Sequence, residues 1–140
     1  MMRRAFVMLA LASLVACGDN STTGPTTVNL VGTWTLQSVN GSPIPFSQTS
    51  ATQKLEVLSG SLVISGNGAF TSTLIERVTP TGAANGNIVV VTTFGTVDTN
   101  GGVVVLRRTD IPNDSGTTVD LTSTTIGYTL NGLALVFRIS

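Results

Sequence analysis

Tyr128-Thr129-Leu130-Asn131-Gly132-Leu133-Ala134-Leu135 decides the fold. Apolar residues alternate on both sides of an Asn-Gly pair, the strongest short signal for a two-residue hairpin between antiparallel strands. Downstream, Leu133, Leu135, Phe137 and Ile139 make one apolar row, since residues two apart share a sheet face. Arg138 then falls on the opposite face with Ala134 and Val136.

The same pattern extends back through the chain. Thr/Val/Leu-rich runs at 31–39, 53–58, 61–65, 69–78, 87–97, 103–109, 117–130 (one strand or two) and 133–140 read as about eight strands. Between them lie Ser59-Gly60, Gly66-Asn67-Gly68, the 81–86 stretch, Asp98-Thr99-Asn100-Gly101-Gly102 and Asn131-Gly132, all turn-forming. No window keeps a 3.6-residue apolar period long enough for a helix. The composition agrees: 23 Thr, 17 Val and 7 Ile make a third of the 140 residues β-branched, the side chains that suit a pleated surface. Without crossover helices the sheet is antiparallel, and an eight-stranded meander removes its exposed edges by closing into an up-and-down barrel. A small β-sandwich is the alternative.

Composition also excludes chemistry. There is no His, one Cys, and seven basic against seven acidic residues. Imidazole-based triads and metal sites therefore lack their material, and nucleic acid finds no basic patch. Asp98, Asp110, Asp114 and Asp120 are scattered without paired-carboxylate or calcium-loop spacing. The 110–116 stretch reads as a turn. We expect no enzyme, no metal and no cofactor.

The first residues carry an address. Met1-Met2-Arg3-Arg4 precedes an uncharged apolar stretch from Ala5 to Ala16. At 1.5 Å per residue that stretch spans roughly 18 Å, too short to cross a ~30 Å hydrocarbon core, so it reads as a cleaved export signal. It ends Leu14-Val15-Ala16-Cys17, which resembles the lipobox of bacterial lipoproteins. The resemblance implies cleavage before Cys17, a diacylglycerol on its thiol and an acylated new amino terminus. Cys17 has no other Cys to pair with, and two or three acyl chains hold a domain stably on a bilayer. Arg3-Arg4-Ala5-Phe6-Val7 also resembles a twin-arginine signal. The expected organisation is residues 1–16 as signal, 17–29 as lipidated Cys and Ser/Thr/Asn/Gly-rich flexible tether, and 30–140 as the barrel domain, facing the periplasm from the inner or outer membrane.

At the domain's start, Gly32-Thr33-Trp34 within Leu30-Val31-Gly32-Thr33-Trp34-Thr35-Leu36 resembles the Gly-x-Trp opening of lipocalin-like barrels, and the run on to Asn40-Gly41-Ser42-Pro43-Ile44-Pro45 is similar to bacterial lipocalin-like lipoproteins. The resemblance implies that Gly32 allows close passage at the barrel base, that Trp34 plugs the closed end, and that a basic residue of the last strand, here Arg138, covers the indole. Parity counting alone puts Arg138 and Phe137 on opposite faces.

The inward set expected from alternation is Trp34 and Leu36; Phe70, Leu74 and Val78, with Glu76 in the same row; and Ile88, Val90 and Phe94. One of Arg107 and Arg108 must share the inward face. Such an arginine pairs with Glu76 or grips a ligand carboxylate; alternatively, these charges sit at strand ends in water. Phe70, Phe94, Glu76, Arg107 and Arg108 are thus candidate ligand-binding residues. A barrel of this size is filled by side chains or holds one small molecule. Two functions remain: a carrier of a small apolar or amphipathic ligand, or a solidly packed module that engages another envelope protein. Interior volume separates them, because an ordinary ligand needs about 300 Å³.

Overall fold

The computed structural model describes residues 29–140; the signal, Cys17 and nearly all of the tether lie outside the described residues. The strands are β1 (Gly32–Val39), β2 (Ser42–Pro43), β3 (Phe46–Thr49), β4 (Gln53–Ile64), β5 (Ala69–Pro80), β6 (Asn87–Asn100), β7 (Val103–Arg108), β8 (Thr117–Thr118), β9 (Asp120–Leu121), β10 (Thr125–Leu130) and β11 (Leu133–Ile139). Among the described residues there is no helix.

The strands run β8-β7-β6-β5-β4-β1-β11-β10-β9, every neighbour antiparallel. Both ends of that path belong to one stretch of chain. Thr117 and Thr118 pair with Leu106 and Val105 on β7, and Asp120 and Leu121 pair with Gly127 and Ile126 on β10. Between them the Val119 N–H donates to the Val104 carbonyl at 2.8 Å. Residues 117–121 therefore act as one stave, and the protein is an all-β, antiparallel, up-and-down barrel, nearly closed, as the hairpin grammar requires. The other seam joins first and last strands through Trp34 opposite Ile139, Leu36 opposite Phe137 and Val39 opposite Leu135.

Alternation builds the core. Trp34, Leu36, Val57, Leu62, Phe70, Leu74, Leu106, Ile126, Tyr128, Leu135 and Phe137 are buried in one cluster, each large side chain contributing about 1.5–3 kcal/mol by leaving water. Asn131 and Gly132 take φ of 50° and 79°, the paired positive angles of the expected hairpin.

Three expectations change. Ser59-Gly60 is not a turn: β4 runs through it with a register shift between Val57 and Ser59, a bulge that bends the strand. A Cβ on Gly60 would lie 2.8 Å from Leu74 Cδ2, so the missing side chain makes room for core contact. Residues 42–49, left without strands by the sequence, supply β2 and β3, which pair with β1 and β4 off the barrel path. The face of Ile88, Val90 and Phe94 turns outward, with all three exposed. Their neighbours Val91, Thr93 and Gly95 face in, opposite Leu74, Ser72 and Phe70.

The chain enters and leaves at one end. Ser140 N–H donates to the Thr33 carbonyl at 3.1 Å, and the turns at 65–68, 101–102 and 122–124 share that end by the antiparallel path. The 109–116 loop and the 131–132 hairpin lie at the other, beside the far halves of β4, β5 and β6.

Candidate functional site

Arg108 closes β7 on the same parity as buried Val104 and Leu106, so it is the inward arginine and Arg107 the outward one. Its Nε donates to Asp110 Oδ1 at 3.0 Å and its Nη2 to Asp110 Oδ2, a fork on one carboxylate. Nη1 reaches Asn131 Oδ1, 3.3 Å away on the β10–β11 hairpin. The side chain thus reaches from β7 past the 117–121 stave to the β10–β11 hairpin.

The 109–116 loop is held by turn chemistry, as its sequence indicates. Asp114 Oδ2 accepts the Arg108 N–H at 2.7 Å, and Oδ1 accepts the Gly116 N–H at 3.1 Å. Those backbone hydrogen bonds hold the Asp114 carboxyl below the usual range, and the Arg108 hydrogen bond does the same for Asp110. Arg107 Nη1 donates to the carbonyls of Asp114 (3.1 Å) and Ser115 (2.8 Å), while its Nη2 lies 3.7 Å from Asp98.

Beneath Arg108, Phe70, Ser72, Thr93, Leu106 and Tyr128 surround a space of about 10 Å³, enough for about one water. Tyr128 donates its hydroxyl to Ser72 Oγ at 2.8 Å and stacks on Phe137, with centroids 5.6 Å apart and rings 6° from parallel. Burial pushes the phenol up to about 12. Ser72, Thr93 and Tyr128 form a buried polar line that the sequence reading missed. Its signal was present as Ser72 between Phe70 and Leu74 in an inward row: a buried hydroxyl there needs a partner from across the barrel.

Glu76 faces inward, as its row indicated, opposite Val57 on β4 and Val89 on β6. Burial raises its pKa. The Glu76–arginine pair does not form: Arg107 and Arg108 engage Asp98 and Asp110, and Arg77 lies outward, 3.6 Å from Glu56. Phe70 lies in the core below Arg108, whereas Phe94 is 57% exposed on the outer wall. The structure therefore brings Phe70 and Arg108 together and leaves Glu76, Arg107 and Phe94 elsewhere.

Gly32 adopts φ +143°, an angle other residues avoid. Trp34 is buried, and its Nε1–H donates to the Leu30 carbonyl at 3.0 Å. Arg138 lies exposed, opposite Thr35 and Thr125, and the guanidinium cover expected for Trp34 is not seen among the described residues; Ile139 is the strand partner of Trp34. An outward side chain reaches an inward one on the adjacent strand only by wrapping around the barrel end.

Larger hollows lie on the outer wall. One of about 510 Å³ is lined by Lys54, Glu56, Arg77, Thr79, Asn85 and Gly86; another, about 280 Å³, lies over Asp120, Gly127 and Val136. Among the described residues, no three His, Cys, Asp or Glu gather to hold a metal ion, and no helix is long and apolar enough to cross a membrane.

No family model and no curated protein sequence matches this chain. Among solved structures, a lipocalin-like protein from Bacteroides uniformis ATCC 8492 is similar to it at 16% identity and a TM-score of 0.43, over 79% of this chain and 98% of that one.

Proposed function

We propose that this chain is a non-catalytic, lipid-anchored envelope protein whose packed barrel works through its outer surface, with Cys17 as the acylated residue and the domain facing the periplasm. The observation that carries this reading is the interior: about 10 Å³ remains beneath Arg108, against the roughly 300 Å³ that an ordinary ligand requires. The lipobox-like Leu14-Val15-Ala16-Cys17 supports the anchor.

Titration with fatty acids, retinoids and haem, followed by Trp34 emission and thermal unfolding, tests the surface reading. No saturable change is expected; one that raises the unfolding temperature overturns it. Separately, Cys17→Ser is expected to abolish acyl labelling and release the protein from membranes. Unchanged retention overturns the anchor.

A second reading rests on the Arg108 fork. Asp110 already presents a carboxylate to that guanidinium, so an anionic amphiphile replacing it would place its head on Arg108 and its tail toward Phe70 and Leu106 once Arg108 swings out. Asp110→Asn frees the fork and, on this reading, gives fatty acids a saturable effect that the unsubstituted chain lacks or shows more weakly.

A further inference from the structure

We propose that residues 87–93 of β6 form a self-recognition edge, along which two copies of this chain pair antiparallel about a two-fold axis through Val90. The inference does not depend on the anchor or on the barrel interior.

β5 covers one side of β6 from Asn87 to Thr96, whereas β7 begins its pairing only at Gly95. The Phe94 carbonyl accepts the Thr109 N–H at 3.1 Å on the β7 side, and the Val97 N–H turns the other way, to the Gly68 carbonyl at 2.7 Å. Backbone groups alternate sides along a strand. Thr92, Val90 and Ile88, in step with Phe94, therefore direct their N–H and C=O groups to the side where, among the described residues, no strand lies.

Natural edge strands are blunted by charges, proline, bulges or shortness. β3 has four residues and follows Pro43 and Pro45. Residues 87–93, Asn-Ile-Val-Val-Val-Thr-Thr, have none of these devices. On the outer face Ile88 and Val90 are 56% and 61% exposed, with Ile75 of β5 beside Val90.

A second copy satisfies this edge in a particular register. Val90 faces Val90 of the other copy, and Ile88 faces Thr92 in both directions. Three hydrogen-bonded pairs then exchange about six N–H···O bonds. The nearest charges lie one strand back. Following the ladder across, Arg77 aligns with Ile88, then with Thr92 and Thr73 of the second copy; Glu76 aligns with Val89, then with Val91 and Leu74. No like charges meet, and the apolar strips of the two copies become continuous. Such an isologous contact closes on itself at two subunits. It is smaller than a standard interface, so association is weak and depends on concentration.

The test uses the full chain with Cys17→Ser, which removes its other thiol. Adding Val90→Cys places two Cα atoms about 5.5 Å apart across the axis, within disulfide reach, and mild oxidation should give a covalent dimer. Ile88→Cys alone should not link, its copies lying four residues out of register, roughly 13 Å apart; mixed with Thr92→Cys it should. Sedimentation of the chain carrying Cys17→Ser alone should show mass doubling with concentration. Thr92→Pro removes one outward N–H while keeping the β5 bonds, and should weaken association at least about tenfold, with Trp34 emission confirming the fold. A monomer at every concentration, equal linking by Val90→Cys and Ile88→Cys, or open-ended aggregates in place of a dimer would each overturn the proposal.

Discussion

β11 and the first half of β6 are both apolar, yet they live differently. In β11, Leu133, Leu135 and Phe137 are buried while Ala134 and Arg138 are exposed, with β1 and β10 bonded on either side. In residues 87–94, apolar side chains occupy both faces, and Ile88, Val90 and Phe94 meet solvent. Alternation reports an inward face only where the polar residues mark the outward one. Where a strand is apolar throughout, its neighbours decide which face turns in.

The sharpest way to break this comparison is to delete one phenyl ring from each strand. Phe137→Ala is expected to cost about 3–5 kcal/mol, and Phe94→Ala to stay within about 0.5 kcal/mol, both read by urea unfolding. Equal losses would return Phe94 to the interior. Next in size is Gly95→Ala, where the halves of β6 meet. A Cβ there would lie 2.5 Å from Phe70 Cε1 and collide with the Arg107 carbonyl, so β7 must shift, at about 1–3 kcal/mol. Faster hydrogen exchange at the Thr109 amide, which bonds to Phe94, would accompany it. Tyr128→Phe removes the hydroxyl from Ser72 and should cost about 1 kcal/mol, measured by thermal unfolding.

The smallest effect concerns Glu76. Because burial raises its folded pKa, the folded state holds the proton longer than the unfolded chain, and stability falls as pH rises through that folded value. Glu76→Gln is therefore expected to unfold at a higher temperature than the unsubstituted chain at neutral pH. The gap should close in acid, below the carboxylate range. Asp110 and Asp114 have the opposite sign: their lowered values contribute stability above the ordinary aspartate range that is lost as pH falls through the folded values.

The barrel was legible because its hairpins announce themselves. Asn131-Gly132 and the row through Phe137 fix the last two strands, and Trp34 with Leu36 identifies the core face of the first. Asn40-Gly41 announces a hairpin equally well, with φ of 50° and 77°, but Pro43 and Pro45 follow at once and argue against a strand; β2 survives there as two residues pairing with β1 alone. Ser59-Gly60 misled because turn-forming residues also serve bulges. At the candidate site, parity located Glu76 and showed that one of Arg107 and Arg108 must turn in. Which acidic partners they take depends on how the 109–116 loop folds back, and strand period carries no information on that. The Ser72–Tyr128 hydrogen bond joins residues 56 apart, a separation that local pattern does not encode.

Leu30, which accepts the Trp34 indole, and Ser140, which bonds Thr33, sit together at one extremity, with Arg108 and the 131–132 hairpin at the other. Whatever is joined ahead of Asn29 therefore departs from the Trp34 end, and leaves the Arg108 rim unencumbered by that junction.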